Sequence, residues 1–172
     1  MTRAPAKPSF EVEGANRVLP LVRSIVTDIV ANYVRLRELA KETRAAKAAP
    51  PADATPEAAD ARGRSIDALR AEAEERSARM EDYVHELSEL GVDLKDPERG
   101  LVDFACERGG RTVLLCWELG EPSVAHWHGT DENYFDRRPL SSLPAMPDAR
   151  SRTESGGSKR SSERGDAGPA SK

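Results

Sequence analysis

Aromatic residues make up only 5% of this 172-residue chain, which excludes a broad aromatic core. Cysteine occurs twice, at Cys106 and Cys116, too few for a disulfide framework or a four-cysteine zinc site. No run of about 18 apolar residues occurs, so a helical membrane span is not expected. The Pro- and Lys-containing start, residues 1–9, lacks the apolar stretch of a secretory signal, and the expected location is the cytoplasm. Positive charge is not in surplus: 26 Lys and Arg stand against 30 Asp and Glu, for a net charge of -4. With the signs interleaved, a nucleic-acid binder is not expected. There is no HExxH, no paired CxxC, no phosphate-cradling glycine loop and no Ser-His-Asp order, so no motif assigns an enzyme class.

The few aromatics are unevenly placed. Phe104, Trp117, Trp127, Tyr134 and Phe135 all fall between 104 and 135. Aromatic side chains bury the most area per residue, so the tightest core is expected there. Upstream, apolar residues recur in steps of three and four from Val18 to Leu36, predicting a helix over about 11–48. Pro20 cannot donate a backbone hydrogen bond, which predicts a short helix ending near Leu19 and a long one opening with Pro20. Residues 48–63, rich in Ala and Pro, read as a connection that is mobile near Pro50 and Pro51. A second helix is expected over about 65–90, with the seam Ile66, Leu69, Ala73, Arg76, Met80, Tyr83, Leu87 and Leu90. That is a heptad pattern, interrupted only by Arg76, and Gly91 follows as a C-cap. The two helices predict an antiparallel hairpin of coiled-coil character. Its uncovered apolar face predicts self-association or a protein partner.

From Gly100 the period becomes two. Strands are predicted at 101–106, 112–119 and 124–128, joined by turns at Gly109-Gly110 and at 120–122. Lys95-Asp96-Pro97 reads as the turn leading into this sheet. A Gly-Gly turn opposes Arg108 to Arg111 and Asp103 to Cys116. One face then carries Val102, Phe104, Cys106, Val113, Leu115, Trp117 and Leu119, and is expected to pack on the helices. Placing Trp127 beside Trp117 sends Ala125 to the same side. His126 and His128 then join Asp103, Cys116 and Glu118 on the other face. The two cysteines face opposite ways, so no disulfide between them is expected.

Asp, Cys and His are the ligand types that zinc and other divalent transition metals take. The His126-x-His128 spacing puts both rings on one side of a strand. Asp103, Cys116, His126 and His128 are therefore candidate metal ligands, with Glu118 and Glu121 assisting. The alternative is an outer sheet face that is simply polar. Cys116 as a nucleophile would need an exposed setting and a base such as His126. Glu118 and Glu121 are also expected to pair with Arg111, Arg137 or Arg138. His85 is expected to face solvent.

The stretches Phe10-x-x-Glu13-x-Ala15-Asn16-x-x-Leu19-Pro20, Lys95-Asp96-x-x-x-Gly100-Leu101-Val102-Asp103-Phe104, Cys116-Trp117-x-Leu119-Gly120-Glu121 and Trp127-His128 resemble a bacterial family catalogued as domain of unknown function 2203. The resemblance covers roughly residues 10–140 and implies boundaries without a mechanism. Where the family pattern leads us to expect a helix-starting Thr, this chain has Glu11, and Ser9 is the substitute hydroxyl.

The expected fold class is α+β: a helix hairpin, then a three-stranded antiparallel meander, within one domain over 10–140. Residues 1–9 are expected to be flexible. Residues 141–172, which hold no aromatic residue, are expected to be a disordered tail. The expected function is a non-catalytic interaction or self-association module, or alternatively a metal-binding protein or metal-dependent enzyme with its site on the exposed sheet face.

Overall fold

The computed structural model describes residues 9–48 and 55–145. The expected flexible start, the Pro50-Pro51 link and the expected tail lie largely outside them. The described chain forms α1 (Val12–Lys47), α2 (Pro56–Glu89), β1 (Val92–Asp96), β2 (Leu101–Arg108), β3 (Arg111–Glu118), β4 (His126–Gly129) and β5 (Arg138–Pro139). The class is α+β. The sheet has five antiparallel strands in the order β1-β2-β3-β4-β5, not the three expected. β1 escapes the sequence pattern because a register shift between Leu94 and Asp96 breaks its alternation. β5 is only Arg138–Pro139, too short for any periodicity. Packed structure continues past 140, through a 3₁₀ turn at Leu140–Ser142 and Leu143 against the core.

α1 is one helix, and the predicted break at Pro20 does not occur. Pro20 sits on the exposed side, so the carbonyl it leaves unbonded is on the solvent side of the helix. Leu19 and Val22, either side of it, are buried and hold both halves to one core. α2 starts at Pro56, inside the predicted connection. Thr55 caps it by accepting from the Ala58 amide at 3.3 Å, with proline at the first helical position. Ser9 does not serve as a cap: its Oγ accepts from the Glu107 amide. The Phe10 amide donates to the Ala105 carbonyl at 2.7 Å, beyond the point where β1 ends along β2.

The helices run antiparallel, because Asn32 meets Arg76 while Arg35 meets Glu72. Arg76, the seam's interruption, donates to Asn32 Oδ1 at 3.2 Å and to Glu72 at 2.9 Å. Arg35 grips Glu72 through Nε and Nη2 at 2.9 and 2.8 Å. This polar layer fixes the register of an otherwise apolar seam. Only Leu87 of α2 is fully buried, so α1 covers the seam from one side. No described helix is long and apolar enough to cross a membrane.

The predicted core face is correct from Val102 to Trp117, with Trp127 beside it, all buried. Burying each tryptophan contributes about 4–6 kcal/mol by area. Ala125 is a correction: β4 begins at His126, Ala125 is exposed, and Val124 is the buried residue. The Asn16 carbonyl oxygen of the side chain accepts from the Val124 amide at 2.9 Å and ties this loop to α1. Gly100, at φ +67°, lets the β1–β2 turn press on α1: a Cβ there would lie 2.7 Å from Val26 Cγ1.

Candidate metal centre

Strand register assembles the centre. Asp103 on β2 opposes Cys116 on β3, which in turn opposes His126 on β4. His128 lies two residues on, opposite Leu114. Alternation turns all four side chains away from the helices. One ligand atom each of Asp103, Cys116 and His128 lies within 4.8 Å of the other two.

The other expected ligands stand apart from this cluster. His126 Nδ1 is 3.6 Å from Glu121 Oε1. Glu118 takes a two-point hold from Arg99, at 2.9 and 3.0 Å, and a 2.6 Å hydrogen bond from the Tyr134 hydroxyl. Glu121 pairs with Arg137 at 3.0 Å and accepts from the Glu118 amide. These carboxylates anchor a covering layer. Of their predicted partners, Arg137 is found in place, while Arg138 pairs with Glu132.

The sheet face expected to be exposed is buried at its centre. Asp103 is 2% exposed, Cys116 0% and His128 5%. The cause is the excursion between β4 and β5, which folds back over the face. A 3₁₀ turn at Tyr134–Asp136 shapes it, capped reciprocally by Asn133 and Asp136. The Tyr134 ring lies between the Arg99 and Arg137 guanidiniums, 3.9 and 4.2 Å from its centroid. Sequence reasoning placed Arg137 beside Glu118 and Glu121 but missed Lys95, Arg99 and Tyr134 as parts of this site. Only Tyr134 carried a signal, as a member of the aromatic cluster.

Burial sets the electrostatics. Desolvation pushes the Cys116 thiol up to about 12, helped by the Asp103 charge and opposed by Arg137. A protonated, enclosed thiol does not fit the exposed-nucleophile expectation for Cys116. Desolvation also raises the Asp103 carboxyl, against the pull of His128, Lys95 and Cys116. His128 Nδ1 lies 2.9 Å from the Gly129 carbonyl, and a carbonyl only accepts, so Nδ1 carries the proton. In the neutral ring Nε2 then presents a lone pair, 3.3 Å from Asp103 Oδ1. A histidine held by a backbone carbonyl at one nitrogen, with the other free to ligate, is the usual arrangement around a metal.

A cavity of about 250 Å³ opens beside Asp103 and His128, with Lys95, Thr130 and Tyr134 among its walls. A larger hollow of about 460 Å³, by Arg111, Trp127 and Arg138, includes none of the three clustered residues.

Residues 9–140 match a family described as an uncharacterized conserved protein, DUF2203. The chain belongs to this family. No curated protein and no solved structure matches it. The DUF2203 match takes in both helices, all five strands and each of the clustered residues. The family description carries no activity, so any chemistry rests on the geometry above.

Proposed function

We propose that this DUF2203 chain binds a divalent transition metal, zinc first, through Asp103, Cys116 and His128. The observation that carries the reading is their convergence within 4.8 Å, with His128 Nε2 left to ligate by the Gly129 carbonyl. Thiolate and imidazole together suit zinc better than magnesium or calcium, which prefer all-oxygen sites. Structural zinc sites are closed by four protein ligands; catalytic ones keep a position open. Three protein ligands beside a cavity fit the open kind, and the metal would act there as a Lewis acid. A thiolate ligand also suits a reducing compartment, as do two cysteines that are both free, so the cytoplasm stays the proposed location.

Elemental analysis of untagged protein, purified without chelator, tests the reading. About one zinc per chain is expected, and less than about 0.1, unchanged by added zinc, overturns it.

A second reading, self-association without catalysis, is favoured by a separate observation. Met80 and Val84 line a largely apolar groove on α2, and Val34 on α1 is 46% exposed. Apolar stripes left on a two-helix arm suit a second copy of the chain. Light scattering decides: a monomer at every concentration removes this reading and leaves the metal reading intact.

A further inference from the structure

We infer that residues 130–137 are a strap over the face that carries Asp103, Cys116 and His128, latched by Tyr134 and opening as a unit to admit small solutes to Cys116. The latch governs access to the thiol whether or not a metal is bound, so it goes beyond the metal reading.

The groups under the strap are shut off from solvent. Cys116 is fully buried, and Asp103 and His128 nearly so. The cavity beside them has Asp103 and His128 among its walls, but not Cys116. A molecule that reaches the thiol therefore needs part of the cover to move. Thr130, Glu132, Asn133 and Tyr134 of the strap already form one side of that cavity. The strap takes no part in the sheet, since β4 ends at Gly129 and β5 begins at Arg138. None of its residues is buried, and Phe135 is 87% exposed. Segments with so few buried apolar contacts open most readily, while the rest of the fold stays intact.

A small set of polar contacts holds the strap down. The Tyr134 hydroxyl donates to Glu118 at 2.6 Å, and its ring centroid lies 3.9 Å from the Arg99 guanidinium. Arg137 adds a 3.0 Å ion pair with Glu121. Arg99 and Glu118 belong to the body of the protein and grip each other at 2.9 and 3.0 Å, so they form a fixed catch. The strap itself is braced. Asn133 and Asp136 cap each other across the 3₁₀ turn, and the Gly129 amide donates to Glu132 at 2.6 Å. A braced segment tied at both ends moves as one body, and Tyr134 is its main hold on the catch.

The test labels the metal-free full chain with 4,4′-dithiodipyridine, a small uncharged thiol reagent. Cys106→Ser leaves Cys116 as the thiol to be labelled, and Cys116→Ser leaves Cys106. Cys106 is fully buried on the helix-facing side, so it reports global unfolding. Each rate is taken relative to that of the same chain unfolded in urea. Cys116 should label faster than Cys106, with little dependence on urea below the unfolding transition, because local opening exposes little surface. Tyr134→Phe removes the bond to Glu118 and keeps the ring. It should speed Cys116 labelling about tenfold, the loss expected for a hydrogen bond to a charged group, and leave Cys106 unchanged. Tyr134→Ala should speed Cys116 further. If Cys116 in the wild-type background shows the urea dependence of Cys106, only global unfolding exposes it and the strap does not open. If both Tyr134 variants leave Cys116 at its starting rate, or speed the two cysteines equally, Tyr134 is no latch. None of these outcomes alters the zinc content on which the metal reading depends.

Discussion

His128 Nε2 and Asp103 Oδ1 lie 3.3 Å apart, on side chains that are 6% and 2% exposed, while His128 Nδ1 is committed to the Gly129 carbonyl. That tether fixes which nitrogen faces the carboxylate and Cys116. His128→Ala should therefore lower zinc affinity by roughly 100-fold or more, since even outer partners of a metal site are worth about 10–100-fold. Competition against a chromophoric chelator measures it. In wild type, zinc at roughly 100 times its Kd should add about 2.7 kcal/mol of stability, reversed by EDTA.

The Cys116 thiol gives a pH signature with and without metal. Its folded pKa, about 12, lies above the ordinary value of 9.0, because burial disfavours the thiolate. A raised pKa means the stability contribution is complete below about pH 9 and is lost as pH rises towards 12. Metal-free protein should thus lose stability along that alkaline limb, and Cys116→Ser should flatten it in thermal melts. Zinc must displace the same proton, so its affinity should climb about tenfold per pH unit near neutrality.

Much of this centre was legible because two tryptophans fix the sheet. Trp117 and Trp127 need one apolar face, and a period of two then forces Asp103, Cys116 and His128 onto the other. What parity cannot supply is depth. The cover over that face depends on Tyr134, held beside its near neighbour Arg137, finding Arg99 far earlier in the sequence. Lys95 was hidden for a related reason: a bulge removes the alternation by which a strand is read. In the helical half, Thr55-Pro56 carried a local start signal, outweighed by the Pro and Ala density around it. Local propensity alone predicts a break at Pro20, and the tertiary burial of Leu19 and Val22 overrides it.

Asp103 is placed at a cost to the metal-free fold. Desolvation raises its carboxyl, so its contribution to stability is present at low pH and is lost as pH rises through the folded value. At neutral pH the buried carboxylate is a burden that only partners or a metal offset. Asp103→Asn should leave the metal-free protein as stable, or more stable by about 1 kcal/mol, while abolishing zinc binding. A lower melting temperature for the metal-free variant would show instead that the carboxylate serves the fold.

Gly100 sets how closely sheet and α1 approach. Its φ of +67° and the 2.7 and 2.8 Å spacings to Val26 Cγ1 and Leu119 Cβ leave no room for a methyl group. Gly100→Ala should destabilise the protein by about 2–4 kcal/mol, combining backbone strain with overpacking. Gly110→Ala has a positive φ but open space around it, so it isolates the strain and should cost only about 1 kcal/mol. Urea unfolding of the pair separates the two effects, and equal losses would argue against the close contact at Gly100.

The helix hairpin should be acid-sensitive through one residue. Glu72 accepts from Arg35 and Arg76, and these bonds hold its carboxyl at about 2, below its ordinary 4.5. A depressed pKa contributes stability that is present above about 4.5 and lost as pH falls towards 2. The pairs are solvent-accessible, so salt should weaken the effect. Melting followed by circular dichroism from pH 6 to 2.5 should show a falling midpoint in wild type, shallower at high salt. Glu72→Gln keeps the shape and an acceptor but has no carboxyl to titrate, so its midpoint should begin lower and fall less over the same range. A parallel fall in both proteins would assign the acid sensitivity to other carboxylates and leave the Arg35–Glu72–Arg76 layer with a role in register alone.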